Sequence, residues 1–146
     1  MTAERLAAAS LDELEAIYAG APLGPEPRGV WRGRMLRYLD KPLAIQAIDW
    51  LMFDVPPYGI DFDARNWWFF APRLQAGHFE ARAGRSRWRD TETVRLEYET
   101  SRLPRFVRAL LYDEVKPLSD ELCLGFGGVN RGAGIGEHFF FALTRY

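Results

Sequence analysis

Apolar and charged residues alternate strictly through Val94-Arg95-Leu96-Glu97-Tyr98-Glu99. A period of two places Val94, Leu96 and Tyr98 on one face of a strand and the charged residues on the other. Similar segments recur at roughly ten-residue spacing, a signature of short strands joined by turns. The pattern predicts strands at 29–39, 59–63, 67–71, 77–83, 86–90, 93–99, 107–115, 121–129 and 138–146. Gly77, Gly84 and the Gly132-Ala133-Gly134 stretch supply turns or bulges between them. The expected architecture is mainly β: an antiparallel β-barrel of about 8–10 strands.

Two segments depart from that period. Ser10 and Glu13 form a capping-box pair, and Leu11, Leu14, Ile17 and Tyr18 follow at helical spacing until Gly20. Residues 1–20 are therefore an N-terminal helix. Pro22, Pro25 and Pro27 make 21–28 a stiff connector, because proline neither continues a helix nor donates to a ladder. Between Asp40 and Phe53, Pro42 suits a first helical position, and Leu43, Ala47, Ile48, Leu51 and Met52 share one helical face. This reads as a second short helix covering one barrel end, stopped by Val55-Pro56-Pro57. One domain over 1–146, with its barrel at 29–146, is expected from a chain of this length.

Composition narrows the function classes. Aromatic residues make up 14% of the chain, including five Trp, which favours a β-rich core or an aromatic-lined cavity. Nineteen basic residues against twenty acidic ones leave a net charge of -1, so no bulk field draws in nucleic acid or a membrane. Cys123 is the sole cysteine, which excludes an internal disulfide and a cysteine-built metal cluster and fits a reducing compartment. No stretch has signal-peptide character or the length of a membrane span, so a cytoplasmic monomer or homodimer is expected.

Gly29-Val30-Trp31-Arg32-Gly33-Arg34 reads as G-x-W-x-G-R. With Arg145 near the end of the last strand, it resembles the structural signature of lipocalins and related calycin barrels. That resemblance implies a lipocalin-like barrel in which Arg145 lies across the Trp31 ring and closes the floor. A longer series resembles the bacterial and fungal GxWxG family. It runs from the helix and G-x-W-x-G-R through Tyr58-Gly59-Ile60-Asp61-Phe62, Leu111-Tyr112-Asp113-Glu114-Val115 and Leu124-Gly125 to Phe139-Phe140-Phe141-Ala142-Leu143. Pro57 and Ile60 stand where that family's middle motif carries Trp and Lys. The resemblance implies a fold and transfers no activity.

Candidate chemistry is sparse. Trp31 is read as a packed structural residue. In Trp67-Trp68-Phe69-Phe70, alternation splits the run into two pairs on opposite faces, one in a cavity wall and one covered; Trp68 and Phe70 are taken as the wall. His78 and His138 stand in no metal-ligand spacing; each is read first as a hydrogen-bonded strand histidine and second as a proton-moving group. Tyr112-Asp113-Glu114 is the best polar cluster. Tyr112 and Glu114 share a face and Asp113 opposes them. An inward carboxylate there would have a raised pKa, although a surface ion pair with Arg108 or Lys116 is the preferred reading. Arg82, Arg85, Arg87, Arg89 and Arg95, interleaved with Trp88 and acidic residues, read as a solvated strand face. The glycines at 125–136 match no phosphate-loop motif and are read as bulges and a turn.

The expected function is binding of an apolar or aromatic small molecule in a barrel cavity, through Trp68, Phe70, His78, Tyr98, Tyr112, Phe126 and His138. The alternative is a small barrel enzyme, a cyclase, isomerase or hydratase, with His78, Tyr112 or His138 moving the proton. A filled barrel serving protein interaction is a third class. No cofactor and no metal are expected.

Overall fold

The computed structural model describes residues 1–39, 43, 46–47, 50–51, 54–108, 111–129 and 137–146, the side chains of Phe106, Val107, Val129, Glu137 and His138 excepted. Two short helices, α1 (Ala3–Ala8) and α2 (Leu11–Gly20), open the chain. The capping box at Ser10 forms as expected: the Ser10 hydroxyl accepts from the Glu13 N–H, and the Glu13 carboxylate accepts from the Ser10 N–H. Thr2 caps a separate helix α1 in the same region, so the single expected helix is two.

Nine antiparallel strands follow: β1 (Val30–Tyr38), β2 (Tyr58–Asp61), β3 (Asn66–Phe69), β4 (Gln75–His78), β5 (Glu80–Arg85), β6 (Glu92–Glu97), β7 (Leu111–Ser119), β8 (Leu122–Val129) and β9 (Glu137–Arg145). A single-turn helix, α3 (Arg105–Arg108), precedes β7. The strands form one sheet in the order β4-β3-β2-β1-β9-β8-β7-β6-β5. Its two edge strands, β4 and β5, are consecutive in sequence and are joined through Phe79 alone. Residues 75–85 thus form one bent strand that pairs with β3 on one side and β6 on the other. The result is a nearly closed up-and-down barrel, which removes the free edges of an open sheet.

The expected strand at 86–90 is the hairpin between β5 and β6. Ser86 N–H donates to the Thr91 carbonyl across its base at 2.9 Å. Leu43, Gln46, Ala47, Trp50 and Leu51 are helical in the β1–β2 connection. Yet Leu43 is 82% and Leu51 59% exposed, so the face carrying them is turned to solvent and does not cover the barrel. Pro42, Ile48 and Met52, also assigned to that helix, lie outside the described residues.

Both faces of the sheet are packed. Inside, Trp31, Tyr58, Ile60, Phe62, Trp67, Phe79, Val94, Leu96, Tyr98, Val115, Cys123, Phe139, Phe141 and Leu143 form one buried cluster. Outside, Leu6, Leu14 and Tyr18 of the two helices bury Leu36, Leu122, Leu124, Phe126, Phe140 and Ala142. Strand β9 shows why both faces need a core. Phe139 and Phe141 point in, and Phe140 points out onto Phe126 with ring centroids 3.9 Å apart. Gly127 and Gly125 are the ladder partners of Phe139 and Phe141. With no side chain opposite, both rings lie against the β8 backbone and fill the interior; a Cβ at either glycine would overlap them. Gly125 and Gly127 are therefore regular ladder positions, and the bulge falls between Gly127 and Gly128. Gly132, Gly134 and Gly136 lie outside the described residues.

Candidate functional site

Asp113 is the third residue of β7 and lies between Leu96 of β6 and Gly127 of β8 in the ladders. Strand parity turns it into the barrel, opposite to Tyr112 and Glu114. There the Tyr98 hydroxyl donates to Asp113 Oδ2 and accepts from Trp67 Nε1–H. The Gly128 N–H is a further donor to the carboxylate. Burial lifts the Asp113 carboxyl from its ordinary 3.8 to about 7, and the nearby Glu114 charge adds to the rise, against the hydrogen bonds from Tyr98 and Gly128. Burial also holds the Tyr98 hydroxyl well above its usual range, and the Asp113 charge reinforces this. The chain Trp67–Tyr98–Asp113 thus ends in a carboxyl group able to gain or lose a proton near neutral pH. Two of the roughly four lone-pair positions of its ionised form are occupied by Tyr98 and Gly128.

Around this group the interior is filled by rings in contact. Trp67 stacks on Tyr58 at 5.8 Å and lies 5.9 Å from Phe141; Phe79 meets Tyr98 at 6.2 Å and Phe62 at 6.0 Å. Asp113 lies toward the end at which β1, β3, β6 and β8 finish, called here the loop end. At the opposite end Trp31 is buried, donates its Nε1–H to the Arg28 carbonyl at 2.9 Å and meets the Phe62 ring edge-on. Arg145 is its ladder partner on β9. Among the described residues the cation–π contacts are Arg87 on Tyr112, Arg89 on Phe126 and Lys116 on Tyr18, so the expected stacking of Arg145 on Trp31 is not formed.

Glu114 occupies the outer face and is fully buried. The surface ion pair expected for it with Arg108 or Lys116 is replaced by four hydrogen bonds. Oε2 accepts from Tyr18 Oη–H at 2.9 Å and Ser86 Oγ–H at 2.5 Å, and Oε1 accepts from Arg87 N–H at 2.6 Å and Tyr112 Oη–H at 2.7 Å. The reason is non-local: α2 brings Tyr18 over the strand, and the 86–91 hairpin folds back across it. Lys116, two residues on, donates to the Ala21 carbonyl at 3.0 Å and to Thr91 Oγ1 at 2.7 Å. Desolvation holds its ammonium below the usual lysine range, partly offset by Glu114 and Glu92. Arg89 completes the attachment with a bidentate pair to Glu15 of α2. These groups tie helix, hairpin and barrel together, and their hydrogen-bonding capacity is used in doing so.

The expected ligand-contacting residues are divided by the barrel wall. Tyr98 alone among those with described side chains lies in the interior cluster. Tyr112 and Phe126 are buried outside it, beneath Trp88, whose ring meets theirs at 5.0 and 6.0 Å. The aromatic run of β3 takes the parity opposite to that expected. Trp67 faces inward and Phe69 packs on the interior cluster, whereas Trp68 is covered on the outside against Gly59, with Nε1–H donating to the Trp31 carbonyl at 3.1 Å. Phe70 has left the strand, with φ 66°, and is exposed. His78 is half-buried on β4 opposite Asn66, beside residues 100–103, and is not part of the Asp113 group. The His138 side chain lies outside the described residues. Cys123 is buried and its thiol is pushed up by desolvation, which makes it a core residue. Trp67 is the site residue that alternation alone did not select, because parity separates Trp67 from Trp68 without saying which faces in. Among the described residues no group of three or more His, Cys, Asp or Glu is placed to hold a metal ion, and no helix is long and apolar enough to cross a membrane.

Neither a comparison with protein-family models nor a search of curated proteins returns a match. Among solved structures, the crystal structure of a protein from Thermomonospora curvata is similar, with a TM-score of 0.52 and 18% sequence identity over 98% of this chain and 97% of that one. At that identity the likeness speaks for a shared fold along the whole chain.

Proposed function

We propose that this protein binds an apolar or aromatic small molecule at the loop end of the barrel, oriented by Asp113. The observation that carries this reading is a buried carboxylate with hydrogen-bonding capacity left over, at the end of the Trp67–Tyr98–Asp113 chain. A buried polar group with spare capacity in an aromatic setting is the usual orienting element of a small-ligand site. Because rings in contact occupy the interior among the described residues, the ligand is placed at the loop end beside Asp113. A ligand with one donor, such as an aromatic amine or alcohol, matches the acceptor that Asp113 presents. Membership of the GxWxG family and a cytoplasmic location belong to the same proposal; they rest on the order of sequence motifs and on the single, buried Cys123.

Native mass spectrometry of freshly purified wild type and Asp113→Asn tests the reading, with tryptophan fluorescence during titration with 1-naphthylamine as a second readout. The expected result is a small mass released on denaturation or a saturable fluorescence change, lost or strongly weakened in the variant. A bare wild-type mass together with no response to the probe overturns it. The Asp113 value near 7 favours one second reading, a proton-transfer enzyme acting on the same ligand class. In that case Asp113→Asn stops turnover while substrate still binds.

A further inference from the structure

We propose a second ligand site on the outer face of the barrel, taking a small aromatic molecule with a phosphate or carboxylate group between Arg87, Arg105 and Arg108. These three guanidiniums line a depression of about 350 Å³ that is walled by Glu97, Tyr98, Glu99, Leu111 and Tyr112. That volume is at the lower end of ordinary small-molecule sites, which run from about 300 Å³ upward. The sequence keeps the arginines far apart, at 87, 105 and 108. The 86–91 hairpin and α3 bring them together over β6 and β7.

The balance of charge favours an anion. Glu97 serves three cations at once, with Oε2 3.7 Å from Arg82 and Oε1 3.6 Å from Arg87 and 3.8 Å from Arg95. Arg82 has Glu80 as a closer partner at 2.6 Å, and neither Arg82 nor Arg95 lines the depression; within it three guanidiniums face two carboxylates, Glu97 and Glu99. Arg108 uses one donor on the Ser101 carbonyl at 3.0 Å. Exposed Arg105 has no ion-pair or hydrogen-bond partner among the described residues. A guanidinium fork matches phosphate and carboxylate oxygens in bidentate fashion. The apolar part of the ligand would meet Leu111 and Tyr98, which also line the depression, while Arg87 lies on the buried Tyr112 ring at 4.3 Å, which fixes its fork in place. Tyr98, whose hydroxyl bonds Asp113, also lines this depression, so the two sites adjoin; Arg105 and Arg108 make no contact with Asp113, and their substitution tests this proposal separately from the first.

Calorimetric titration with phenyl phosphate, phenylacetate and inorganic phosphate tests it, using the full chain, Arg105→Gln/Arg108→Gln, and Arg34→Gln on distant β1 as the control. Saturable binding of phenyl phosphate or phenylacetate is expected, weakened about tenfold per arginine removed, or about 1.4 kcal/mol each. The control keeps wild-type affinity, and near-ultraviolet circular dichroism verifies that the surface variants stay folded. The aromatic anion that binds more tightly identifies phosphate or carboxylate as the ligand group, and inorganic phosphate binds more weakly than either. Equal affinity in wild type and double variant, or no binding of either aromatic anion, overturns the proposal.

Discussion

Asp113→Asn removes a buried carboxyl inside the barrel that desolvation lifts to about 7, and its effect can be worked out in advance. The carboxyl goes from an ordinary 3.8 to about 7 on folding, so the folded chain holds this proton more tightly than the unfolded chain. Stability from this group is fully present below about pH 4, is lost as pH rises toward 7, and is constant above that. At about 1.4 kcal/mol per pH unit the whole difference is about 4 kcal/mol, of which about 3 kcal/mol falls between about pH 5 and about pH 8. Domains of this size are stable by only about 5–15 kcal/mol, so the effect is large enough to measure.

Urea unfolding followed by tryptophan fluorescence, on wild type and Asp113→Asn at pH values across that range, isolates this term. Taking the difference between the two proteins cancels the contribution of every group that the substitution leaves unchanged. Asparagine keeps the shape but presents an NH2 group to either the Tyr98 hydroxyl or the Gly128 N–H, so it carries a cost of its own that does not vary with pH. The slope, not the offset, is therefore decisive. Wild type should lose about 3 kcal/mol relative to the variant between about pH 5 and about pH 8. A difference that stays flat would refute the burial argument and, with it, the assignment of Asp113 as a proton-moving group.

Two further outcomes follow from packing. Glu114→Gln puts an NH2 group against two of the donors that now meet the carboxylate; it should cost about 3 kcal/mol in urea unfolding and speed hydrogen exchange of the Arg87 amide. A loss below about 1 kcal/mol would mean that the hairpin and α2 are held by their apolar contacts alone. Gly59→Ala would drive its Cβ into the Trp31 carbonyl and onto the Trp68 ring, both immobile, and should cost about 3 kcal/mol or more. Gly20→Ala, with nothing within 4 Å, should be neutral or stabilising by up to about 1 kcal/mol in the same thermal or urea assay.

The parts of this fold that could be read in sequence are those set by residues close together in the chain. The Ser10–Glu13 box, the alternation in β6 and the opposition of Asp113 to Tyr112 and Glu114 each depend on a spacing of a few residues, and each forms. The face that a strand presents is a different matter. In β3, inside and outside are assigned by its pairing with β2: Ile60 opposes Trp67 and Gly59 opposes Trp68. Ile60 packs inside, so Trp67 does too, and Trp68 takes the room above a glycine nine residues back. The burial of Glu114 was hidden for the same reason, since its donors come from residues 18, 86, 87 and 112. A Glu beside Arg and Lys in sequence carries no sign that a hairpin and a helix will close over it.

The glycines of β8 decide what such a barrel can hold. A strand with large side chains opposite Phe139 and Phe141 would keep those rings off the wall; Gly125 and Gly127 let them lie flat against it, where they meet Trp67 and, through it, Tyr58. Ring contact among the described interior residues gives the barrel stability from apolar burial and fills much of its axis. Binding capacity then moves to places where packing is interrupted by a polar group that the fold does not itself satisfy. Glu114 is not such a place, because Tyr18, Ser86, Arg87 and Tyr112 meet all of its acceptor positions. Asp113 inside the loop end, with two donors, and the arginine-lined depression outside it, with three guanidiniums facing two carboxylates, are. One presents a spare acceptor and the other spare donors, so ligands of opposite character are expected at two places that adjoin through Tyr98.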